Sequence, residues 1–207
     1  MKREEKNQQT RQRIMDSALA EFSKQGYGAS SINTICAAQG ISKGIVYHYF
    51  ETKDVLFLAC VSECFQYLTE YIRANMIKQG DMECCLEEYF AIRTRFFQAY
   101  PVYQRIFCEA VISPPAHLQA EIQACKQDFE ELNVQILGQL LAPLSLRPGI
   151  SKDEVMEMFR LFQDFINIRY QIADAGGQEF EAREENCRKA LDILLYGVIE
   201  RGKANHV

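Results

Sequence analysis

Proline and glycine are scarce in this chain: five prolines and eleven glycines among 207 residues leave room for long, unbroken helices. No apolar run approaches the ~18 residues that a membrane span needs. The opening segment MKREEKNQQT has no apolar centre of the kind a signal peptide carries. A cytoplasmic protein with no membrane partner is therefore expected. There are eight cysteines but no CxxC pair, and His117 is the only histidine between residue 49 and the tail. No nucleophile–base pattern, phosphate loop or paired-histidine metal motif is present, so no enzyme and no cofactor is expected and no metal ligand is assigned. The cysteines fall inside helix-like segments and read as small buried hydrophobes rather than a disulfide framework. Cys60 and Cys64, four apart, and the adjacent Cys84 and Cys85 leave a redox- or metal-sensing regulator open as the alternative function.

Excess positive charge is also lacking, for the formal charge is −5, yet its distribution is uneven. Residues 1–55 hold eight Lys/Arg against six Asp/Glu, a balance of +2, and the remainder carries −7. That split suits a small nucleic-acid-contacting module on an acidic body.

The apolar spacing is helical almost throughout and no strand is evident. From Thr10, Ile14, Ala18, Leu19 and Phe22 recur on one face until Gly26. Ser30 or Ser31 can cap a short helix from Ile32 to Gln39, and Gly40 follows where a left-handed residue is wanted. Ser42 can cap the next helix, ending near Phe50, and Thr52 a long one to about Gln79. Further helices are expected from about Met82 to Ala99, after Pro101, and from about Pro115 to Leu141. After the loop 142–150, SKDE at 151–154 forms a capping box. It opens a helix over about 151–174, and the last helix covers about 179–201. The fold class is all-α with about nine helices: an N-terminal three-helix domain over 1–51, then a larger helical domain over 52–207.

Two short helices joined at a glycine, SINTICAAQ-GIS-KGIVYHYF, have the dimensions of a helix-turn-helix, whose second helix enters the DNA major groove. On a helical wheel Val46 and Phe50 point to the core, leaving Lys43, Gly44, Ile45, Tyr47 and His48 on the other side. Gly44 permits close approach to bases, and Ile45 can meet a thymine methyl. Ser31, Ser42, Tyr49 and Lys53 lie at helix starts or along the flank, where hydroxyls, N–H groups and an ammonium suit phosphates.

Residues 11–57, RQRIMDSALAEFSKQGYGASSINTICAAQGISKGIVYHYFETKDVLF, resemble the N-terminal domain of the TetR family of bacterial transcriptional regulators. Ala18, Phe22, Gly26, Ile35, Gly40, Ser42, Lys43, Gly44, Tyr47, Tyr49, Phe50, Lys53 and Leu56 stand in family register; Cys36 and Gln39 replace the usual small alanines. The resemblance implies a homodimer on palindromic double-stranded operator DNA, repressing until a small molecule binds the second domain. It places dimerisation on the helices at about 151–174 and 179–201, and the effector among the middle helices. There Tyr67, Tyr71, Tyr89, Phe96, Tyr103 and Phe107 can line an apolar pocket for an apolar or aromatic effector. Arg93, Gln163 or Asn167 can supply a polar anchor. Plain core and dimer packing accounts for any one of these aromatics more simply.

Overall fold

A computed structural model of the chain describes residues 3–76, 82–161 and 179–198. Among these, nine α-helices and one short 3-10 turn form, with no extended strand. We number them α1 (Arg3–Ala29), α2 (Ile32–Gln39), α3 (Lys43–Tyr49), α4 (Lys53–Asn75), α5 (Met82–Ala99), α6 (Val102–Ile112), α7 (Gln119–Leu141), α8 (residues 152–161) and α9 (Glu179–Val198). The 3-10 turn, Ala116–Leu118, leads into α7.

Three boundaries differ from the periodicity reading, one being the start of α7, at Gln119 rather than about Pro115 because Ala116–Leu118 winds as a 3-10 turn. The first helix starts at Arg3, not Thr10, because Arg, Glu, Lys and Gln favour helix without needing an apolar stripe. The long fourth helix ends at Asn75 rather than near Gln79. Local chemistry sets the others. Thr52 Oγ1 accepts the Val55 N–H at 3.1 Å at the head of α4. In the capping box, Ser151 Oγ accepts the Glu154 N–H at 3.2 Å while the Glu154 carboxylate accepts the Ser151 N–H at 2.7 Å.

The chain divides into two compact units. The first comprises Met1–Tyr71 with Arg95–Phe129, and the second Ile72–Thr94 with Glu130–Val207. This division follows packing. Ile14, Phe22, Ile35, Val46, Phe50, Leu56 and Phe57 are buried in the first unit. So are Phe65, Phe96, Phe97 and Phe107, whose rings pack together: Phe97 and Phe107 lie 5.0 Å apart between centroids and Phe65 and Phe107 5.5 Å. Helix α4 is long and apolar enough to cross a membrane. Its apolar side, Leu56, Phe57, Cys60, Val61, Cys64, Phe65, Leu68 and Ile72, is instead spent on protein core.

Candidate nucleic-acid interface

The two short helices are fixed at each end by their own sequence. Ser31 is extended, and its Oγ accepts the Thr34 N–H at 3.1 Å, satisfying one of the free donors at the start of α2. Gly40 adopts φ 62°, a left-handed conformation in which a side chain is strained. There the Gly40 N–H donates to the Ala37 carbonyl and the Ile41 N–H to the Cys36 carbonyl, at 3.3 and 3.0 Å, a Schellman closure. Two residues on, Ser42 Oγ accepts the Ile45 N–H at 3.3 Å and starts α3. The three-residue turn Gly40–Ser42 thus ends one helix and caps the next.

Helix α3 divides along the lines of its wheel. Val46 and Phe50 are buried, whereas Lys43, Gly44, Ile45, Tyr47 and His48 are exposed, Tyr47 at 46%. An added Cβ at Gly44 would meet nothing within 4 Å, so this glycine leaves an open face rather than filling a packing gap.

Tyr49 and Lys53 are held differently. The Tyr49 hydroxyl donates to the Asn7 side-chain carbonyl of α1, and its ring packs edge-on to His48 at 5.2 Å. The Lys53 ammonium turns inward. It donates to the Tyr27 and Ser30 carbonyls at 2.6 and 3.0 Å and lies 4.2 Å from the Tyr27 ring centroid. Two of its three N–H groups are therefore spent on its own chain, and the phosphate contact expected of it competes with that clamp.

The clamp belongs to a polar junction that the sequence reading missed. Gly26, at φ 75° and ψ 169°, breaks α1 and strands its last carbonyls. From α6, the Arg105 guanidinium donates to the Lys24 and Gln25 carbonyls at 3.1 and 3.2 Å. Also from α6, both Glu109 carboxylate oxygens accept the Tyr27 N–H at 2.9 Å. The Tyr27 hydroxyl donates to Asp54, and His117 Nε2 lies 3.2 Å from that hydroxyl and 3.4 Å from the Asp54 carboxylate. Burial, the hydrogen bond to Asp54 and the nearby charges of Asp54 and Glu109 push the Tyr27 phenol up to about 12. Burial likewise raises Glu109, against the opposing pull of the Tyr27 N–H and of Arg105 and Lys53. His117 thus faces Tyr27 and Asp54.

The expected effector residues separate. Phe96, Tyr103 and Phe107 are buried in the first unit, Phe96 stacked on Tyr103 at 5.9 Å, and the Tyr103 hydroxyl donates to Glu63 at 2.7 Å. Tyr67 is half exposed and stacks on Tyr103 at 5.9 Å, while Tyr71 packs on Phe96 at 5.5 Å. Tyr89 and Arg93 lie in the second unit. There Arg93 is 4% exposed, its guanidinium donating to Glu184 at 2.9 Å and to the Tyr89 hydroxyl at 3.0 Å. That hydroxyl in turn donates to Asn133 at 2.7 Å. Burial, the largest single influence, would lower the Arg93 pKa, but the Glu184 carboxylate together with Tyr89 and Cys187 outweighs it and holds the guanidinium above its ordinary value. Gln163 and Asn167 lie outside the described residues.

Cys60 and Cys64 are fully buried, and burial pushes both thiols upward, away from the reactive thiolate. Cys84 is exposed and Cys85 half-buried. Among the described residues no group of three His, Cys, Asp or Glu side chains could hold a metal.

A capped helix pair presenting one polar face, on an all-helical body, is a helix-turn-helix DNA-binding regulator by architecture. Residues 14–60 match the family model of bacterial regulatory proteins, tetR family. The chain is 22% identical over 154 residues to IcaR of Staphylococcus epidermidis, the HTH-type negative transcriptional regulator of the biofilm operon icaADBC, covering 72% of this chain and 78% of that one. With IcaR of Staphylococcus aureus it is 28% identical over 93 residues, spanning 42% of this chain and half the length of that relative. Among solved structures, the transcriptional regulator FadR of Bacillus subtilis in complex with stearoyl-CoA superposes with a TM-score of 0.67 at 15% identity. That superposition covers 90% of this chain and 98% of FadR. Residues 14–60 thus carry an N-terminal domain of the tetR family of bacterial regulatory proteins.

Proposed function

We propose that this regulator is a cytoplasmic repressor that grips a palindromic operator through α3 of two copies and releases it when a small apolar or aromatic molecule binds the helical body. One observation carries the reading: α3 spends Val46 and Phe50 on the core and leaves Lys43, Gly44, Ile45, Tyr47 and His48 free in solvent. Groups able to read base edges are thereby collected on a two-turn helix that is already capped and anchored.

Dimerisation follows from the size of the site. One such helix reads only a few base pairs, and two copies about 34 Å apart meet successive major-groove faces. Met158 and Leu161 on α8 and Ile193 on α9 are exposed in the single chain, Ile193 at 72%, and a dimer face on those helices would cover them. Repression is suggested by the IcaR relatives, described as negative regulators, and an acyl-chain effector by the stearoyl-CoA bound to FadR. The raised, buried Cys60 and Cys64 thiols weigh against a thiol sensor.

Selection of bound duplexes from a random pool tests the reading. A palindrome is expected, and Tyr47→Ala or Lys43→Ala should cost about 1–3 kcal/mol of affinity for it while the dimer stays folded. Full affinity in both variants would remove α3 as the reading element.

A further inference from the structure

We infer that Tyr49 is a positioning residue for DNA reading: its hydroxyl, latched to Asn7, sets the roll of α3 instead of holding a phosphate. The inference rests on the DNA-binding reading of α3 above. A helix of seven residues is too short to hold its own pose, so its setting comes from packing. Its buried anchors are Val46 on the helix and Phe50, the extended C-cap residue four positions on. Two points on a line fix where a rod lies but leave it able to rock about that line.

Contacts off the line stop the rocking, and α1 supplies them at both ends. Before α3, the Arg13 guanidinium donates to the Gln39 carbonyl at 3.0 Å, holding the turn. After it, Asn7 of α1 accepts the Tyr49 hydroxyl off the line, one turn before Arg11, whose guanidinium lies 5.2 Å from the ring centroid of the anchor Phe50. At about 100° per residue Tyr49 stands roughly 60–100° from the anchor line, a direction in which a bond resists rotation. Side chains extend about 5–6 Å from a helix axis, so a roll of about 20° would carry the tips of Tyr47 and His48 by about 2 Å. A hydrogen bond to a base tolerates only about 0.5 Å.

The two roles for Tyr49 separate on non-specific DNA. A phosphate contact strengthens binding to every sequence and adds to the salt slope, whereas a roll latch matters only where side chains must meet base edges. The test uses the full-length protein, a duplex selected from a random pool, and a random duplex of equal length. Tyr49→Phe and Asn7→Ala should each weaken the selected duplex about three- to tenfold, the range expected for one hydrogen bond. Random-duplex affinity, salt slope and melting temperature should not change, and the double variant should lose no more than either single one. Parallel losses on both duplexes with a shallower salt slope, additive losses, or full affinity in both variants would each overturn the latch. Tyr47→Ala is the internal control. If it too binds at full strength, the reading of α3 fails; if it alone loses binding, only the latch does.

Discussion

On α3, a lysine, a tyrosine and a histidine stand in solvent, whereas in the second unit Arg93 and Glu184 are sealed against each other at 2.9 Å with side chains 5% exposed. The exposed groups stabilise the fold little and are free to act outward; the sealed pair is bound into the structure and can be disturbed only at its cost. Polar residues of similar type therefore do different work, and burial decides which. An exposed ammonium keeps its hydration until DNA displaces it. A buried guanidinium has lost its hydration already and depends on every partner it has kept.

Removing one member of the sealed pair should show the largest effect. Glu184→Ala leaves Arg93 charged in a dry site, and a loss of about 3–5 kcal/mol is expected, read as a lower denaturation midpoint. Replacing both, Arg93→Met with Glu184→Leu, should restore most of that stability, since a matched apolar pair carries no desolvation cost. Tyr47→Ala, on the exposed face, should move stability by less than about 0.5 kcal/mol. If Glu184→Ala were equally mild, the contrast between the two regions would collapse.

An intermediate loss is expected at the junction. Gly26 combines a left-handed φ of 75° with close neighbours, and a Cβ there would lie 3.0 Å from Arg105 Nη2 and 3.3 Å from a Glu109 oxygen. Backbone strain of this kind costs about 1–3 kcal/mol. The substitution should also loosen Arg105 from the Lys24 and Gln25 carbonyls, so Gly26→Ala should expose the Tyr27 and Ser30 amides to faster hydrogen exchange. A variant with native stability and native exchange would show that the broken helix end does not need its glycine.

The exposed face was legible in the sequence and the sealed networks were not, for a physical reason. Caps, the turn glycine and a two-anchor wheel are all local, so Ser31, Gly40, Ser42, Val46 and Phe50 declare the shape of the helix pair within twenty residues. Arg93 meets Glu184 across 91 positions, and Tyr27 meets His117 across 90. No periodicity records such partners. Lys53 shows the same limit: its charge near a DNA-reading helix suggested a phosphate, but only the folded chain reveals the Tyr27 and Ser30 carbonyls beside it. Of the middle-helix aromatics, Phe96 and Phe107 proved to be core, which composition alone could not distinguish from a pocket wall.

Tyr27 lies between the two regimes, half-buried, with its hydroxyl shared by Asp54 and His117, and it yields the smallest and most selective effect. Its phenol ionises near 10 when free and at about 12 in the fold. Folding therefore holds its proton more tightly, and the stability this contributes is complete below pH 10 and fades as pH rises toward 12. The wild-type curve sums every group that loses a proton in alkali, so alone it is uninformative. The difference from Tyr27→Phe isolates this one group. Denaturation midpoints taken at pH 9, 10, 11 and 12 should fall more steeply for the wild type than for the variant above pH 10, and in parallel below it. Parallel curves throughout would mean that the phenol is as free to ionise in the fold as outside it, and that the junction holds α1 through Arg105, Glu109 and Lys53 without the hydroxyl.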